Sequence, residues 1–387
     1  MLTEKISRTP RFFPPDSDIE CDVLVVGATL CGLLTARRLS AMGKKVCIAE
    51  SDRVCPLTAA EHMGIIMSDG AMTYDRAASG FGQKADLWHD AARSGFESLV
   101  GIAQELGCKS LEQKNTLLFT DGRDTDKVQR EYRLRNFSGT DTAYMTEETA
   151  KDIFSFDLTA GVYSRADAAV LDISDLAGTL ADQLSLSGAM IHEDTTVESI
   201  STGSGRPFRF SCLTDGEKTI FCNTVMDCRK YADKGFYVSK GLPLNRSTLF
   251  ILRTEPIKKL RGWYEGCVIR DLYRSPMTFC VNADGSVSAF WDRGATGSFA
   301  QKYSLSYLEQ VLRAMFFCTD GIVVSEKSLI PYAKRGGLPV IGRDSSMQGF
   351  FYAYCGTESN AVCSEICARA LVSMTEGDKE ENIPFSR

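Results

Sequence analysis

The sequence predicts an α/β fold in which a Rossmann-like domain, a parallel sheet with a β-meander, is interleaved with an antiparallel-sheet domain. Residues 21–50 read as strand, glycine turn, helix and strand, the βαβ unit of nucleotide-binding domains. Residues 236–291 instead contain short apolar runs that are typical of antiparallel strands. Segments typical of the nucleotide-binding domain return after residue 291, which indicates that each domain is built from separate segments of the chain.

The βαβ unit of residues 21–50 carries the groups that a dinucleotide needs. An apolar, β-branched run stops at Gly27, which allows a tight turn, and helical spacing starts at Leu30. The helix N-terminus would face a pyrophosphate, and Gly32 would let the helix and the strand pack closely. Glu50 ends the second strand, where a carboxylate takes the ribose hydroxyls of an adenosine.

One position departs from the dinucleotide fingerprint G-x-G-x-x-G. The chain has Thr29 where the second glycine is expected. A side chain there would occupy space that the pyrophosphate uses, although a threonine hydroxyl can also donate a hydrogen bond to phosphate. The sequence leaves both interpretations of Thr29 open.

The order of the remaining segments predicts how the two domains divide the chain. We expect a three-stranded meander from Phe208–Leu213, Lys218–Cys222 and Thr224–Asp227. The nucleotide-binding domain is expected at 18–80, 160–235 and 330–375, the substrate domain at 81–159 and 236–329, and flexible ends at 1–17 and 376–387. A chain of 387 residues is long enough for two such domains.

Composition narrows the class of function. The net charge of −6, without a lysine or arginine cluster, argues against nucleic-acid binding. No apolar run has the length of a membrane span, and the polar residues 1–18 indicate no secretory signal. Fourteen cysteines without a C-x-x-C pair, and three dispersed histidines, favour a reducing cytoplasm and no metal site.

The order of motifs resembles a known family over nearly the whole chain, from Phe13 to Met374. The supporting motifs, besides the βαβ unit, are Tyr74-Asp75-Arg76, Val170-Leu171-Asp172, Val225-Met226-Asp227 and Leu338-Pro339-Val340-Ile341-Gly342. Together they resemble the FAD-dependent oxidoreductases of the D-amino-acid oxidase, glycine oxidase and sarcosine oxidase group. Within that group the chain looks like bacterial members that are sometimes fused to a Rieske domain, which we do not expect in this chain.

The resemblance implies that FAD is the cofactor and that certain residues contact it. Glu50 would bind the adenosine ribose and Val197 would contact adenine through its backbone. Gly342 and Asn360 would face the ribityl chain and the isoalloxazine. The residues expected to bind FAD are Gly27, Thr29, Leu30, Gly32, Glu50, Ser51, Val197, Gly342 and Asn360.

The resemblance also implies a substrate site in the inserted sheet. Substrate carboxylates are usually held by arginine, whose planar fork binds them bidentately. The candidate arginines are Arg270, Arg274, Arg293 and Arg335. Arg274 and Arg335 are the preferred ones, and His62, in the loop expected beside the flavin, is a further catalytic candidate.

Three functions remain open from the sequence. The first is an FAD-dependent oxidoreductase that oxidises the C–N bond of a small amine or amino-acid-like substrate. The second is a pseudoenzyme of the same fold that binds a nucleotide or a partner protein, which the altered positions Thr29 and Glu358 favour. The third is a subunit of a heteromeric dehydrogenase. We expect a small-molecule substrate and a possible oligomer or partner subunit, without nucleic acid or membrane.

Overall fold

The computed structural model describes residues 12–54, 64–70, 72–122, 124–203, 207–229, 245–258, 260–271, 277–293, 298–316, 321–334, 339–355 and 361–376. The strands are β1 (Ile19–Glu20), β2 (Val23–Val26), β3 (Val46–Ala49), β4 (Ile65–Met67), β5 (Glu112–Thr120), β6 (Thr142–Thr146), β7 (Ala160–Val170), β8 (Met190–His192), β9 (Val197–Thr202), β10 (Phe210–Thr214), β11 (Thr219–Cys222), β12 (Thr224–Asp227), β13 (Asn245–Thr254), β14 (Val268–Asp271), β15 (Met277–Val281), β16 (Val287–Arg293), β17 (Val324–Lys334), β18 (Val340–Arg343) and β19 (Phe350–Tyr354). The helices are α1 (Leu30–Ala41), α2 (Tyr74–Phe81), α3 (Ala85–Glu105), α4 (Thr125–Phe137), α5 (Glu147–Ala150), α6 (Ile173–Leu186), α7 (Ser298–Met315) and α8 (Ala361–Glu376).

A six-stranded sheet in the order β18-β19-β12-β2-β3-β8 forms the nucleotide-binding part of the molecule. Its neighbours pair in parallel, except that β18 is antiparallel to β19. Every residue of β2 and β3 is buried, because α1 covers one face and the meander sheet covers the other. This double burial explains the continuous apolar runs of these strands and confirms the predicted Rossmann-like sheet.

A meander of β9, β10 and β11 forms a four-stranded sheet together with β1. The sequence prediction was correct for Phe208–Leu213 and Lys218–Cys222, but it was wrong for Thr224–Asp227. That segment is β12, which pairs in parallel with β2 and β19 in the centre of the other sheet. The third strand of the meander is β9. The short link between β11 and β12 suggested a hairpin, whereas the actual partners of β12 are distant in sequence.

The inserted sheet has nine strands in the order β17-β13-β16-β15-β14-β5-β7-β4, with β6 added on β7. The predicted antiparallel sheet is confirmed, with the exception that β5 and β14 pair in parallel. One face packs against α7 through Leu308 and Leu312. Val268 and Arg270 lie on the opposite face, because side chains alternate along β14.

Among the helices that the structure describes, none combines the length and apolar character that a membrane crossing requires.

The turn between β2 and α1 depends on two glycines. Gly27 has φ +101°, and a Cβ added to it would lie 2.9 Å from the backbone of Arg229. A Cβ on Gly32 would lie 2.1 Å from the carbonyl oxygen of Gly27, so α1 approaches β2 as closely as its backbone allows. Both positions therefore require glycine for steric reasons.

Thr29 is the N-cap of α1. Its Oγ1 accepts a hydrogen bond from the Gly32 N–H at 3.2 Å and donates one to the Cys228 carbonyl at 2.7 Å. The first contact satisfies an N–H group that the helix itself leaves unpaired, and the second ties α1 to the residue after β12. The hydroxyl of Thr29 thus has a local structural use.

Replacement of Gly32 by alanine should destabilise the protein. The added Cβ has no room against Gly27, so we expect a cost of about 1–3 kcal/mol or more from overpacking. The measurement is the free energy of unfolding in urea. Gly101→Ala is the matched control, because Gly101 also lies in a helix but has open space around its Cβ position. That control should be neutral or stabilising by up to about 1 kcal/mol, and an equal loss in both variants would contradict the steric argument.

Replacement of Thr29 by alanine should cost about 1 kcal/mol of stability, since the N-cap bond is lost. Thr29→Ser keeps the hydroxyl and should stay close to the parent protein. Urea unfolding of the two variants measures the difference. If the serine variant is destabilised as much as the alanine variant, the capping bond is not what Thr29 contributes.

Candidate cofactor site

The carboxyl ends of the parallel strands meet at one side of the six-stranded sheet, which we call the carboxyl edge. The residues that directly follow β2, β3, β8, β12 and β19 there are Gly27, Glu50, Glu193, Cys228 and Cys355. In open α/β sheets, ligands bind outside this edge. The structure therefore brings the predicted residues Gly27 and Glu50 together where a nucleotide is expected.

Glu50 is hydrogen-bonded to the turn between β2 and α1, residues 27–29, which we call the phosphate turn because a pyrophosphate is expected beside it. Its Oε2 accepts a hydrogen bond from the Ala28 N–H at 2.7 Å, and its Oε1 accepts one from the Asp52 N–H at 3.1 Å. The hydroxyl of Ser51 donates to the same Oε1 at 3.3 Å. The carboxylate is thereby fixed beside Gly27, within a framework of backbone donors.

Asp227, the last residue of β12, holds Arg229 at the carboxyl edge. The guanidinium of Arg229 donates from Nε to Oδ1 at 2.9 Å and from Nη2 to Oδ2 at 2.8 Å. The hydroxyl of Tyr354 donates to Oδ2 at 3.0 Å. Burial, and then the neighbouring Asp227, raise the pKa of Tyr354, which keeps this hydroxyl protonated as a donor. Arg229 is thus fixed next to Gly27.

Three other residues that were predicted to bind FAD lie in α1, β9 and β18. Leu30 is fully buried as the first residue of α1, and Val197 is buried at the start of β9 in the apolar cluster that includes Ala49. Gly342 lies within β18 opposite Tyr352, and a Cβ added to it would lie 2.7 Å from the Tyr352 hydroxyl. The contacts that these residues were expected to make with FAD stay predictions.

Four predicted residues, His62, Arg274, Arg335 and Asn360, lie outside the described residues. Of the other candidate arginines, Arg293 is exposed and lies over the ring of Trp291, with 4.8 Å from its Cζ to the ring centroid. Arg270 is buried, at 2 % exposure. Its Nη1 donates to Oδ2 of Asp69 at 2.5 Å, and its Nε has no hydrogen-bond partner among the described residues.

Arg270 belongs to a group of buried charges that we call the Asp69 cluster: Asp69, Glu131, Arg135, Asp167 and Arg270. Arg135 is its centre. It donates from Nη2 to Asp69 at 2.9 Å, from Nε to Glu131 at 2.7 Å and from Nη1 to Asp167 at 2.6 Å. Burial by itself would lower the pKa of Arg135, but the three carboxylates together raise it well above its usual value.

The carboxylates of the Asp69 cluster are also bonded to neutral groups. Glu131 accepts from the Asp75 N–H at 2.7 Å, and Asp167 accepts from the Thr116 hydroxyl at 2.8 Å and from Ser68. Burial raises the pKa of Glu131, with Arg135 acting in the opposite direction. Charges that are buried in this way persist only because they are paired and hydrogen-bonded.

Sequence reasoning missed both Arg229 and the Asp69 cluster. The assignment of Thr224–Asp227 to the meander hid Arg229, because only a place in the parallel sheet brings the residues after β12 to the carboxyl edge. The cluster joins residues that are as many as 201 positions apart, such as Asp69 and Arg270. No local pattern could have indicated it.

An open groove of about 620 Å³ lies at the opposite edge of the six-stranded sheet, next to Arg209, Thr224 and Arg343. None of the predicted site residues lines it. In the part of the chain that the structure describes, no three His, Cys, Asp or Glu side chains come together as metal ligands. The carboxyl edge is therefore the better-supported candidate site.

The residues at the carboxyl edge fit an adenine dinucleotide. The N-terminus of α1 carries partial positive charge towards the place where a pyrophosphate would lie. Glu50 ends the neighbouring strand β3, where a ribose would lie. A helix terminus for the pyrophosphate and a carboxylate that accepts from ribose hydroxyls are two groups that such a cofactor needs.

Comparison with solved structures supports this fold. The L-amino acid deaminase from Proteus vulgaris with its specific insertion sequence deleted is 14% identical, with a TM-score of 0.77 over 98% of this chain and 96% of that chain. The glycine oxidase from Geobacillus kaustophilus is 16% identical, with a TM-score of 0.75 over 95% of this chain and 98% of that chain. At these identities the likeness shows the fold alone.

Sequence comparison gives the family. The putative Rieske 2Fe-2S iron-sulfur protein YhfW of Bacillus subtilis (strain 168) is 28% identical over 126 residues, which are 32% of this chain and 25% of that protein. The match thus spans about a quarter of the length of this relative. The family model described as "DAO: FAD dependent oxidoreductase" matches residues 22–374. The chain belongs to this family of FAD-dependent oxidoreductases, and its cofactor is FAD.

Proposed function

We propose that the protein oxidises the C–N bond of a small amine or amino-acid-like substrate. FAD, when bound, supplies the acceptor for the hydride that leaves the substrate carbon. Two structural relatives, an L-amino acid deaminase and a glycine oxidase, are named for reactions of amino acids. The abundance of scattered cysteines favours a reducing cytoplasm as the place of action.

Arg270 is the observation on which the proposal rests. Its Nε is a buried, charged donor that has no partner among the described residues, and such a group is costly unless an acceptor reaches it. Nε and the adjacent Nη2 form the side of the guanidinium that binds a carboxylate bidentately. Nη1 already bonds Asp69 at 2.5 Å, so the guanidinium is held in one orientation before substrate arrives.

Arg270 would fix the substrate carboxylate, and the nine-stranded sheet would exclude water from the reacting carbon. A fixed carboxylate orients the neighbouring C–N bond, which is the entropic part of catalysis. Arg274 and Arg335 remain alternative carboxylate ligands in this proposal, and His62 remains a candidate for contact with the substrate. The FAD-binding roles of Glu50, Ser51, Val197, Gly342 and Asn360 are part of the same proposal.

Anaerobic mixing with a panel of amino acids, N-methyl amino acids, imino acids and simple alkylamines tests the reaction. At least one carboxylated amine should bleach the flavin absorbance. Arg270→Lys should slow this bleaching about 10- to 100-fold, because an ammonium cannot reproduce the planar fork. The variant should fold, since Asp69 retains Arg135 as a partner.

Arg253→Lys is the matched control, because Arg253 lies in the same sheet but pairs with Asp284 at the surface. Its bleaching rates should equal those of the parent protein. If Arg270→Lys slows alkylamines as much as amino acids, Arg270 does not bind the carboxylate. If dithionite bleaches the flavin but no amine does, the amine reaction is wrong and the pseudoenzyme or dehydrogenase-subunit function takes its place.

Glu50→Ala should weaken FAD binding about 10- to 100-fold, because charge-assisted bonds to the ribose and to Ala28 are lost together. Glu50→Gln keeps an acceptor for the Ala28 N–H and should lose less. Quenching of flavin fluorescence during titration measures both dissociation constants. Unchanged FAD affinity in Glu50→Ala would rule out the ribose contact.

A further inference from the structure

Arg229 lies directly against the phosphate turn. A Cβ added to Gly27 would be 2.9 Å from the N and Cα atoms of Arg229 and 3.1 Å from its Cγ. The backbone and the first side-chain atoms of Arg229 therefore pack against Gly27, the first glycine of the turn.

The guanidinium of Arg229 is held in a fixed orientation. Its Nε and Nη2 bind the two oxygens of Asp227, and the side chain is only 10% exposed. Asp227 is itself fixed by the Tyr354 hydroxyl. Because Asp227 takes the side of the guanidinium formed by Nε and Nη2, the end formed by Nη1 and Nη2 faces away from this carboxylate.

The phosphate turn has fewer donors for an anion than its helix terminus suggests. The Ala28 N–H is bonded to Glu50, and the Gly32 N–H is bonded to the hydroxyl of Thr29. Glu50 and Asp227 also add negative charge at the carboxyl edge. A pyrophosphate placed there needs a positive group beyond the backbone, and arginine matches the geometry of phosphate oxygens.

We propose that Arg229 binds the pyrophosphate of FAD, with Asp227 and Tyr354 as the groups that position it. The guanidinium takes over the part of phosphate binding that the turn loses through Thr29. The competing explanation is that Arg229 serves only to neutralise Asp227, which is buried at 1 % exposure. The two explanations differ in what happens when the negative charge of Asp227 is removed as well.

The test compares Arg229→Ala, Arg229→Lys and the double variant Asp227→Asn/Arg229→Ala in the full chain freed of FAD. FAD binding is measured by fluorescence quenching, and binding of ADP and adenosine by calorimetry. We expect Arg229→Ala to weaken FAD and ADP about 10- to 100-fold, while adenosine binding is unchanged. The double variant should remain as weak, because the phosphate contact is still missing. Arg209→Ala, at the opposite edge of the sheet, should bind all three ligands normally.

Three results would overturn the proposal. Recovery of FAD affinity in the double variant would mean that Arg229 only neutralises Asp227. An equal loss for adenosine would mean that the site is deformed and that no phosphate contact is lost. Unchanged FAD affinity in Arg229→Ala would exclude the contact. Should Arg229→Ala fail to fold, Arg229→Lys decides: it still neutralises Asp227, so a severalfold loss for FAD and ADP, without a loss for adenosine, is the expected result.

Discussion

The close approach of α1 to β2 is the constraint on which the cofactor site depends. With 2.1 Å between a hypothetical Gly32 Cβ and the Gly27 carbonyl, only glycine lets the first turn of the helix reach the end of the strand. That approach aims the helix N-terminus at the carboxyl edge and places Ala28 within reach of Glu50, at 2.7 Å. The contact between Thr29 and Cys228 then joins the same turn to β12. The phosphate turn, the Glu50 carboxylate and the residues after β12 are consequently positioned by one steric requirement.

The carboxyl edge is rich in carboxylates, and each of them is bound differently. Glu50 accepts backbone N–H groups, and Asp227 is paired with Arg229. Glu193 accepts from the Phe12 N–H at 3.1 Å and the Val54 N–H at 2.7 Å and forms an ion pair with Arg53 at 2.9 Å. The positive charge of Arg229 and the dipole of α1 therefore oppose a negative local field, which is the electrostatic setting that an anionic cofactor meets.

Local signals predicted the βαβ unit well. The strand expected at residues 22–26 is Val23–Val26, and the helix expected at 30–42 is Leu30–Ala41, because glycine turns and apolar periodicity mark both ends. The centre of the parallel sheet was predicted less well, since β12 pairs with strands that are far away in sequence. The second hydrogen bond of Thr29 could not be predicted either, because its acceptor, the Cys228 carbonyl, is 199 positions away. The domain boundaries stay a prediction.

The Asp69 cluster has a consequence for the unfolding of the protein. Its charges come from the turn after β4, from α4, from β7 and from β14, and only α4 supplies both an anion and a cation. An intermediate that lacks the turn leaves Arg270 without its counter-charge, and one that lacks α4 leaves Asp167 without its own. A buried charge that has lost its partner costs about 3–5 kcal/mol. We therefore expect the turn, α4 and the strands β7 and β14 to separate together when the protein unfolds.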